Sequence, residues 1–153
     1  MKKTCCLLLC IAYTSYASAC DKPVLLPSAA LENADVVFRG KVENLRYLDN
    51  PEQTKSEPKI IVTFLVSEVW KGKVEKNTLI HTTHNKSTCN GYVFQSGQEY
   101  LVYSWINKRS DNSIAKLFAQ KNPTLGVKVY AGTKPITEAL EDLKFLGNGN
   151  KLQ

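Results

Sequence analysis

The chain has 153 residues, of which 43% are hydrophobic and 22% charged, and its formal net charge is +6. This length suits one domain, and the apolar content is high enough to exclude intrinsic disorder. The same composition excludes collagen-like, coiled-coil and polytopic membrane proteins. Because the lysines are scattered along the chain, the mild positive charge does not by itself indicate a nucleic-acid-binding protein.

The long apolar run of the chain lies at its N-terminus. Two lysines at 2–3 precede an apolar stretch over residues 5–12, and small residues follow at 17–19. A basic n-region, an h-region of about a dozen residues and an A-x-A site are typical of a secretory signal peptide, since a membrane-spanning helix needs about 20 apolar residues. We predict a signal peptide over 1–19, a mature chain beginning at Cys20, and export to the periplasm, the cell surface or the extracellular medium.

Cysteine usage agrees with export. Three of the five cysteines lie in the predicted signal peptide, which leaves Cys20 and Cys89 together in an oxidising compartment. We predict that these two cysteines form a disulfide. It would close a loop of about 70 residues and stabilise the fold by roughly 4 kcal/mol in the chain-entropy model.

The first half of the mature chain begins with a short helix. Ser28 is a candidate N-cap for one or two turns over residues 29–34, with Glu32 near the capping-box position. The pattern then changes to a period of two over residues 36–43, which predicts a strand with one buried and one solvated face. Residues 49–58 are polar and predict an exposed loop.

Further strands follow this loop. Residues 60–69 are apolar on much of both faces, which is typical of a strand in the middle of a sheet or barrel. A Thr-rich strand is predicted over residues 78–84, and two more over residues 100–106 and 114–119. Residues 123–132 are predicted to form a loop.

A C-terminal helix has the clearest signal. Residues 133–135 open it with a proline in the first turn, and Gly147 ends it. Its apolar residues recur at helical spacing at Ile136, Leu140, Leu143 and Leu146. Residues 148–153 are predicted to fray.

Five strands at short intervals with a helix outside predict an all-β fold with a flanking α-helix. The expected architecture is a closed barrel of the five-stranded oligonucleotide/oligosaccharide-binding (OB) type. A β-sandwich fits the same pattern and is the alternative. The predicted domain organisation is a signal peptide, one barrel domain over residues 20–147, and a frayed tail.

Several short motifs occur in a fixed order along residues 20–147. They are Cys20, residues 34–42, residues 69–72, Cys89 with Gly91, residues 94–103 and residues 132–135. In this order they resemble the tissue inhibitor of metalloproteinases family, in particular short bacterial-type members with the inhibitory domain alone. The resemblance implies a netrin-like module on the five-stranded barrel and a secreted inhibitor of a zinc endopeptidase.

The resemblance also implies an inhibitory site. The family joins its first cysteine to one about seventy positions later, which matches the spacing of Cys20 and Cys89. The α-amine and backbone carbonyl of Cys20 would chelate the zinc ion of the target protease at the position that catalytic zinc keeps open. Asp21 would point into the pocket next to this metal. The cleft would be flanked by Lys22, Pro23, Ser87 and Thr88.

Two features depart from the family pattern. A second bridge normally ties the third mature residue to the segment before the terminal helix, whereas Lys22 and residues 129–131 occupy those places here. Asp21 stands where effective inhibitors of the family usually carry a small or neutral residue. Because an unpaired carboxylate in an apolar pocket is costly, Asp21 implies a target with a polar or basic pocket.

The processing of Cys20 has two alternatives. Residues 17–20 loosely match a lipobox, and lipidation would acylate the amine and block the sulfur, so that neither the disulfide nor the chelate forms. The result would be a membrane-anchored, non-inhibitory binding module of the cell envelope on the same fold. Cleavage after Ala17 would leave two residues ahead of Cys20 and would also block access to the zinc ion.

Other candidate sites have simpler interpretations. His81 and His84 face opposite sides of their strand, and Cys89 is assigned to the disulfide, so they do not form a metal site. Trp70 is interpreted as a packing residue, and core positions rather than a nucleic-acid surface are assigned to Tyr92, Phe94, Tyr100, Tyr103 and Trp105. No catalytic constellation is found. We therefore predict a monomeric non-enzyme without cofactor, metal ion or nucleic-acid partner, whose partner is a zinc metalloproteinase.

Overall fold

The structure is a computed structural model that describes residues 25–48, 58–85, 90–107, 124–127 and 131–152. The strands within these residues are β1 (Val36–Tyr47), β2 (Lys59–Lys71), β3 (Asn77–Asn85), β4 (Asn90–Gly91), β5 (Glu99–Asn107), β6 (Thr124–Gly126), β7 (Lys134–Pro135) and β8 (Asn150–Lys151). Helix α1 (Pro27–Asn33) precedes β1. A 3-10 helix (Ile136–Glu138) and helix α2 (Leu140–Leu146) lie between β7 and β8.

Five strands close into a barrel. Strand β1 pairs antiparallel with β2 and β5, β2 pairs antiparallel with β3, β5 pairs antiparallel with β6, and β3 closes the circle by pairing in parallel with β6. This confirms the predicted all-β fold with a closed five-stranded barrel and a C-terminal helix, and an OB-type barrel is consistent with it. The β-sandwich alternative is excluded because the strands form one closed sheet.

The barrel interior is filled by alternate residues of the strands. Its centre is a group of aromatic rings that meet edge to face: Phe64 lies 5.5 Å from Phe38 and 5.1 Å from Phe94, measured between ring centroids. Tyr100 packs on the same group, and Tyr92 and Trp105 are half-buried at its margin. The interpretation of these aromatic residues as core residues is confirmed for the interior set.

A second cluster lies outside the barrel wall, between β1, β5 and the two helices. It consists of Ala30, Ala34, Val37, Leu101, Tyr103 and Ala139. Val37 is fully buried here, so the prediction of a solvated outer face for β1 is wrong at this position. Trp70 packs against this cluster, and its Nε1 donates a hydrogen bond to the Gly147 carbonyl at 2.8 Å. Its assignment as a packing residue is confirmed.

Helix α1 begins differently from the prediction. Pro27 occupies its first turn and Leu26 is the N-cap, without a side-chain capping bond, so Ser28 is not the cap. Proline suits this position because its fixed φ matches the helix and its missing N–H would have no intrahelical partner. The other end is held by Lys71, whose ammonium donates to the Leu31 carbonyl at 2.8 Å.

The C-terminal segment also differs from the prediction. Residues 134–135 pair with β5 as β7, so the α-helix begins only at Leu140, and Gly147 ends it with φ 65° as predicted. Leu140 is 62% exposed rather than buried. The predicted fraying of residues 148–153 is wrong for the described part, because β8 pairs with Glu68 and Val69 of β2.

The fifth barrel strand is β6, which lies within the predicted loop over residues 123–132. That loop prediction is therefore wrong at Thr124–Gly126. Only three residues long, β6 has too little sequence to show an alternating pattern. The predicted strand over residues 114–119 lies outside the described residues, as does the predicted loop over residues 49–58 apart from Pro58.

Candidate functional site

All residues of the predicted inhibitory edge lie outside the described residues. They are Cys20, Asp21, Lys22, Pro23, Ser87, Thr88 and Cys89. The disulfide, the zinc-chelating terminus and the signal peptide over residues 1–19 therefore stay predictions. The structure describes residues that follow Pro23 and Cys89 in the chain, beginning at Leu25 and Asn90, and their contacts bear on the predicted inhibitory edge.

The chain enters the described fold beside β5. Leu25 packs against the outer cluster, and the Leu26 carbonyl accepts the Ala30 N–H at 2.9 Å, which opens helix α1. Gly132 touches this region from the C-terminal side: a Cβ there would lie 2.8 Å from the Ala30 Cβ and 3.1 Å from the Tyr103 ring. The N-terminal segment and the segment before β7 thus meet on the same part of the barrel wall.

The residues that follow Cys89 are attached to β3. Strand β4 pairs with the end of β3, with Asn90 opposite Asn85. Gly91 has φ 76°, and a Cβ at this position would overlap the carbonyl of Thr83. The Tyr92 N–H then donates to the Thr82 hydroxyl at 2.7 Å. The chain after Cys89 is therefore held to β3 by backbone and side-chain contacts.

The motifs that carry the resemblance lie where separate elements of the fold contact one another. In the segment over residues 69–72, Val69 enters the barrel core, Trp70 reaches Gly147, and Lys71 reaches α1. The β1 and β5 motifs are joined by the Arg39 guanidinium, whose two nitrogens donate to the Glu99 carboxylate at 2.8 and 2.7 Å. These residue choices are explained by the architecture alone.

A row of outward-facing positions runs across the strands of the barrel. Across consecutive ladders Arg46 lies opposite Ile61, and Ile61 lies opposite His81. Gly126 follows opposite His81, and Trp105 lies opposite Gly126. The row thus spans five strands, β1, β2, β3, β6 and β5.

A pocket of about 220 Å³ lies on this row. It is lined by Leu48, Lys59, Ile60, Ile61, His81, Thr82, Thr83, Gly91, Trp105 and Val127. Burial lowers the pKa of His81, so that its imidazole is neutral at pH 7. Among the described residues no group of three His, Cys, Asp or Glu side chains could hold a metal ion.

A buried polar group fastens helix α2 to the barrel. Asp142 is only 2% exposed; its Oδ1 accepts the Tyr103 hydroxyl at 2.9 Å and its Oδ2 accepts the Lys134 ammonium at 2.7 Å. Burial and the Asp142 carboxylate raise the pKa of Tyr103, so the phenol remains a donor.

Sequence reasoning missed this buried group. The inward-facing positions of the C-terminal segment are the buried residues Ala139 and Asp142 and the half-buried residues Leu143 and Leu146. These positions have the spacing of the apolar face of a helix, and Asp142 is the one carboxylate among them. A carboxylate on an apolar face needs buried partners, so its position could have predicted the buried polar group.

No family model and no curated protein matches this chain. In the part of the chain that the structure describes, no helix has the length and apolar character needed to span a membrane. A function for this protein is accordingly inferred from its fold class, from the contacts of the described residues and from the resemblance that its motifs carry.

Proposed function

We propose that the protein is an exported inhibitor of a zinc endopeptidase, as its resemblance to the tissue inhibitor of metalloproteinases family implies. The free α-amine and the carbonyl of Cys20 would occupy the open coordination position of the target's zinc ion. The observation that supports this most is that both flanks of the predicted Cys20–Cys89 bridge are anchored. Leu25 packs in the outer cluster, and Asn90 pairs with Asn85.

Anchoring matters because binding through a chain terminus is limited by the entropy of ordering it. Leu25 follows Cys20 by five positions, and an extended segment of that length spans at most about 17 Å. The amine of Cys20 can therefore lie no farther than this from Leu25, even before the disulfide forms. The bridge to Cys89 would restrict it further, because the chain after Cys89 is itself held to β3.

The missing second bridge of the family has a non-covalent counterpart in this proposal. Gly132 lies against Ala30 and Tyr103, next to residues 129–131 that replace one half of that bridge. Side-chain packing of Leu25 and α1 on the same wall would take over its role of orienting the N-terminal segment. A larger residue at position 132 would push the two segments apart.

The experiment compares two versions of the mature protein whose N-termini are first defined by mass spectrometry. One begins at Cys20, and the other carries a single extra alanine before it. Each is assayed against a panel of zinc endopeptidases. We expect inhibition by the first version only, because an amide at the position of the amine cannot ligate zinc. We also expect weaker inhibition below neutral pH, since a free α-amine has a pKa of about 7.7–8.0.

A version with one extra alanine after Gln153 is the control for the added residue and should inhibit like the first. Equal inhibition by the two N-terminal versions would exclude chelation. An unblocked, disulfide-bonded Cys20 that inhibits no member of the panel would contradict the inhibitor proposal.

A further inference from the structure

A pocket lined by residues of β2, β3, β4 and β5, which we call the β2–β3 pocket, is not used by the zinc contact. One lining residue is Ile61, which is 3% exposed although it alternates with the interior residues Ile60 and Val62 of β2. Trp105 of β5 and Gly91 of β4 also line the pocket. At about 220 Å³ it exceeds the roughly 150 Å³ of an apolar cavity that accommodates benzene. One branched aliphatic or aromatic side chain is therefore a suitable occupant.

Two close backbone approaches hold parts of this lining in place. A Cβ on Gly126 would lie 2.9 Å from the Trp105 ring, so the indole packs directly against the β6 backbone. On the other side, the Gly91 backbone lies against Thr83 closely enough to exclude any side chain. A pocket with fixed walls requires little ordering when a side chain enters it, which favours binding.

The charge of the lining residues favours acidic residues next to the side chain that enters the pocket. Leu48, Ile61 and Val127 make the lining largely apolar. Lys59 is the ionised side chain among the lining residues that the structure describes, because His81 is neutral at pH 7. The predicted mature chain is also basic: without residues 1–19, which hold two of the 20 basic and none of the 14 acidic residues, its formal charge is 18 − 14 = +4. An approaching segment with acidic residues beside its apolar side chain would be attracted, and a basic segment would be repelled.

We propose that the β2–β3 pocket binds an apolar side chain presented by an acidic peptide segment of a partner protein. Lys59 pairs with a carboxylate next to the anchor, while Ile61 and Trp105 contact the anchor itself. The proposal does not depend on the zinc contact, because its residues are separate from Cys20. If the amine of Cys20 is blocked by acylation, this binding function remains.

The test uses the mature protein, as it is isolated, and three acetylated pentapeptide amides as probes. The first has the sequence Asp-Glu-Phe-Glu-Asp, the second replaces Phe by Ala, and the third replaces the four acids by lysines. Binding is followed by amide and indole chemical shifts in NMR spectra. We expect the first peptide to shift the signals of Ile61, His81, Thr83, Gly91 and Trp105, and the other two to leave them in place.

Charge reversal at Lys59 tests the electrostatic part. Lys59→Glu should weaken binding of the acidic Phe peptide about fivefold and allow the lysine-rich peptide to bind. Lys73→Glu is the matched control, because it makes the same charge change in the turn at the other end of β2 and should leave both affinities unchanged. Spectra of both variants without peptide show whether the fold is retained.

Three results would overturn the proposal. One is a set of pocket signals that no peptide shifts. Another is equal binding of the acidic and lysine-rich peptides to the wild type. The third is a dimer seen by sedimentation that Lys59→Glu dissociates, which would make a second copy the occupant. None of these results depends on whether any protease is inhibited.

Discussion

The two clusters of the molecule are stabilised in different ways. The barrel interior is apolar and aromatic, and its rings pack edge to face around Phe64. The outer cluster is bordered by the buried polar group of Tyr103, Lys134 and Asp142. Burial of apolar area is non-directional, whereas a buried carboxylate is tolerated only with its partners in place. The interior should therefore control overall stability, and the outer cluster should control whether α2 docks in one position.

The strongest perturbation of the interior is Phe64→Ala. Its ring contacts Phe38, Phe94 and Tyr100, so truncation removes buried area and leaves a cavity. We expect the free energy of unfolding to fall by about 3–5 kcal/mol in urea denaturation. Leu140→Ala, at an exposed site, should change it by less than about 0.5 kcal/mol. Comparable losses in the two variants would contradict the assignment of the interior.

The outer cluster is tested by Asp142→Ala. This change leaves the Lys134 ammonium and the Tyr103 hydroxyl without their acceptor and should cost about 3 kcal/mol. Asp142→Asn retains an acceptor for Tyr103 and should cost roughly 1–2 kcal/mol. Hydrogen exchange is the second measurement: amides of α2 should lose protection while those of β2 keep it. Uniform loss of protection in both elements would mean that the two clusters are not separable.

Alkaline pH should weaken the outer cluster through Tyr103. The pKa of Tyr103 is raised in the folded state, so its protonated form contributes stability below the ordinary tyrosine pKa of about 10, and this contribution is lost as pH rises above that value. Urea midpoints measured from pH 8 to 11 should fall less steeply for Tyr103→Phe than for wild type. Tyr47→Phe, at an exposed residue, is the control. Parallel curves for wild type and Tyr103→Phe would remove Tyr103 as the cause.

The smallest expected effect belongs to His81 on β3. Its pKa is lowered by burial, so the neutral form contributes stability above the unfolded-state pKa of about 6.5, and this contribution is lost as pH falls below that value. The loss in unfolding free energy between pH 7 and 5 should be smaller for His81→Gln than for wild type. Thermal unfolding at these two pH values is a sufficient measurement. A larger loss in the variant would reverse the sign and contradict the burial argument.

The sequence predicts interior strands better than outer contacts. Alternation over β1, β2 and β5 predicts one face that is mostly apolar, and the barrel interior is that face. The same alternation fails at Val37, because this residue lies on the outer face and is covered by segments far away in the chain. For the candidate site, the cysteine count and the order of motifs provide the whole prediction, since its residues lie outside the described ranges.

The pocket and the C-terminal attachments were not predictable from local pattern. The β2–β3 pocket depends on ladders that bring Ile61, His81 and Trp105 into one row from three distant segments. Strand β8 is two residues long, and its pairing with β2 is visible only in the fold. Short elements of this kind have no periodicity of their own.

The sequence by itself determined the class of this protein: alternating strands that bury one face, and a helix that ends at Gly147. The tertiary structure alone decided which outer residues are buried, where α2 begins, and that a carboxylate at position 142 is enclosed. The physical reason is the range of the interactions. The spacing of apolar residues within one strand or helix predicts which of its faces is buried. Burial on the outer wall and pairing of short strands depend instead on segments that meet only after the barrel has closed.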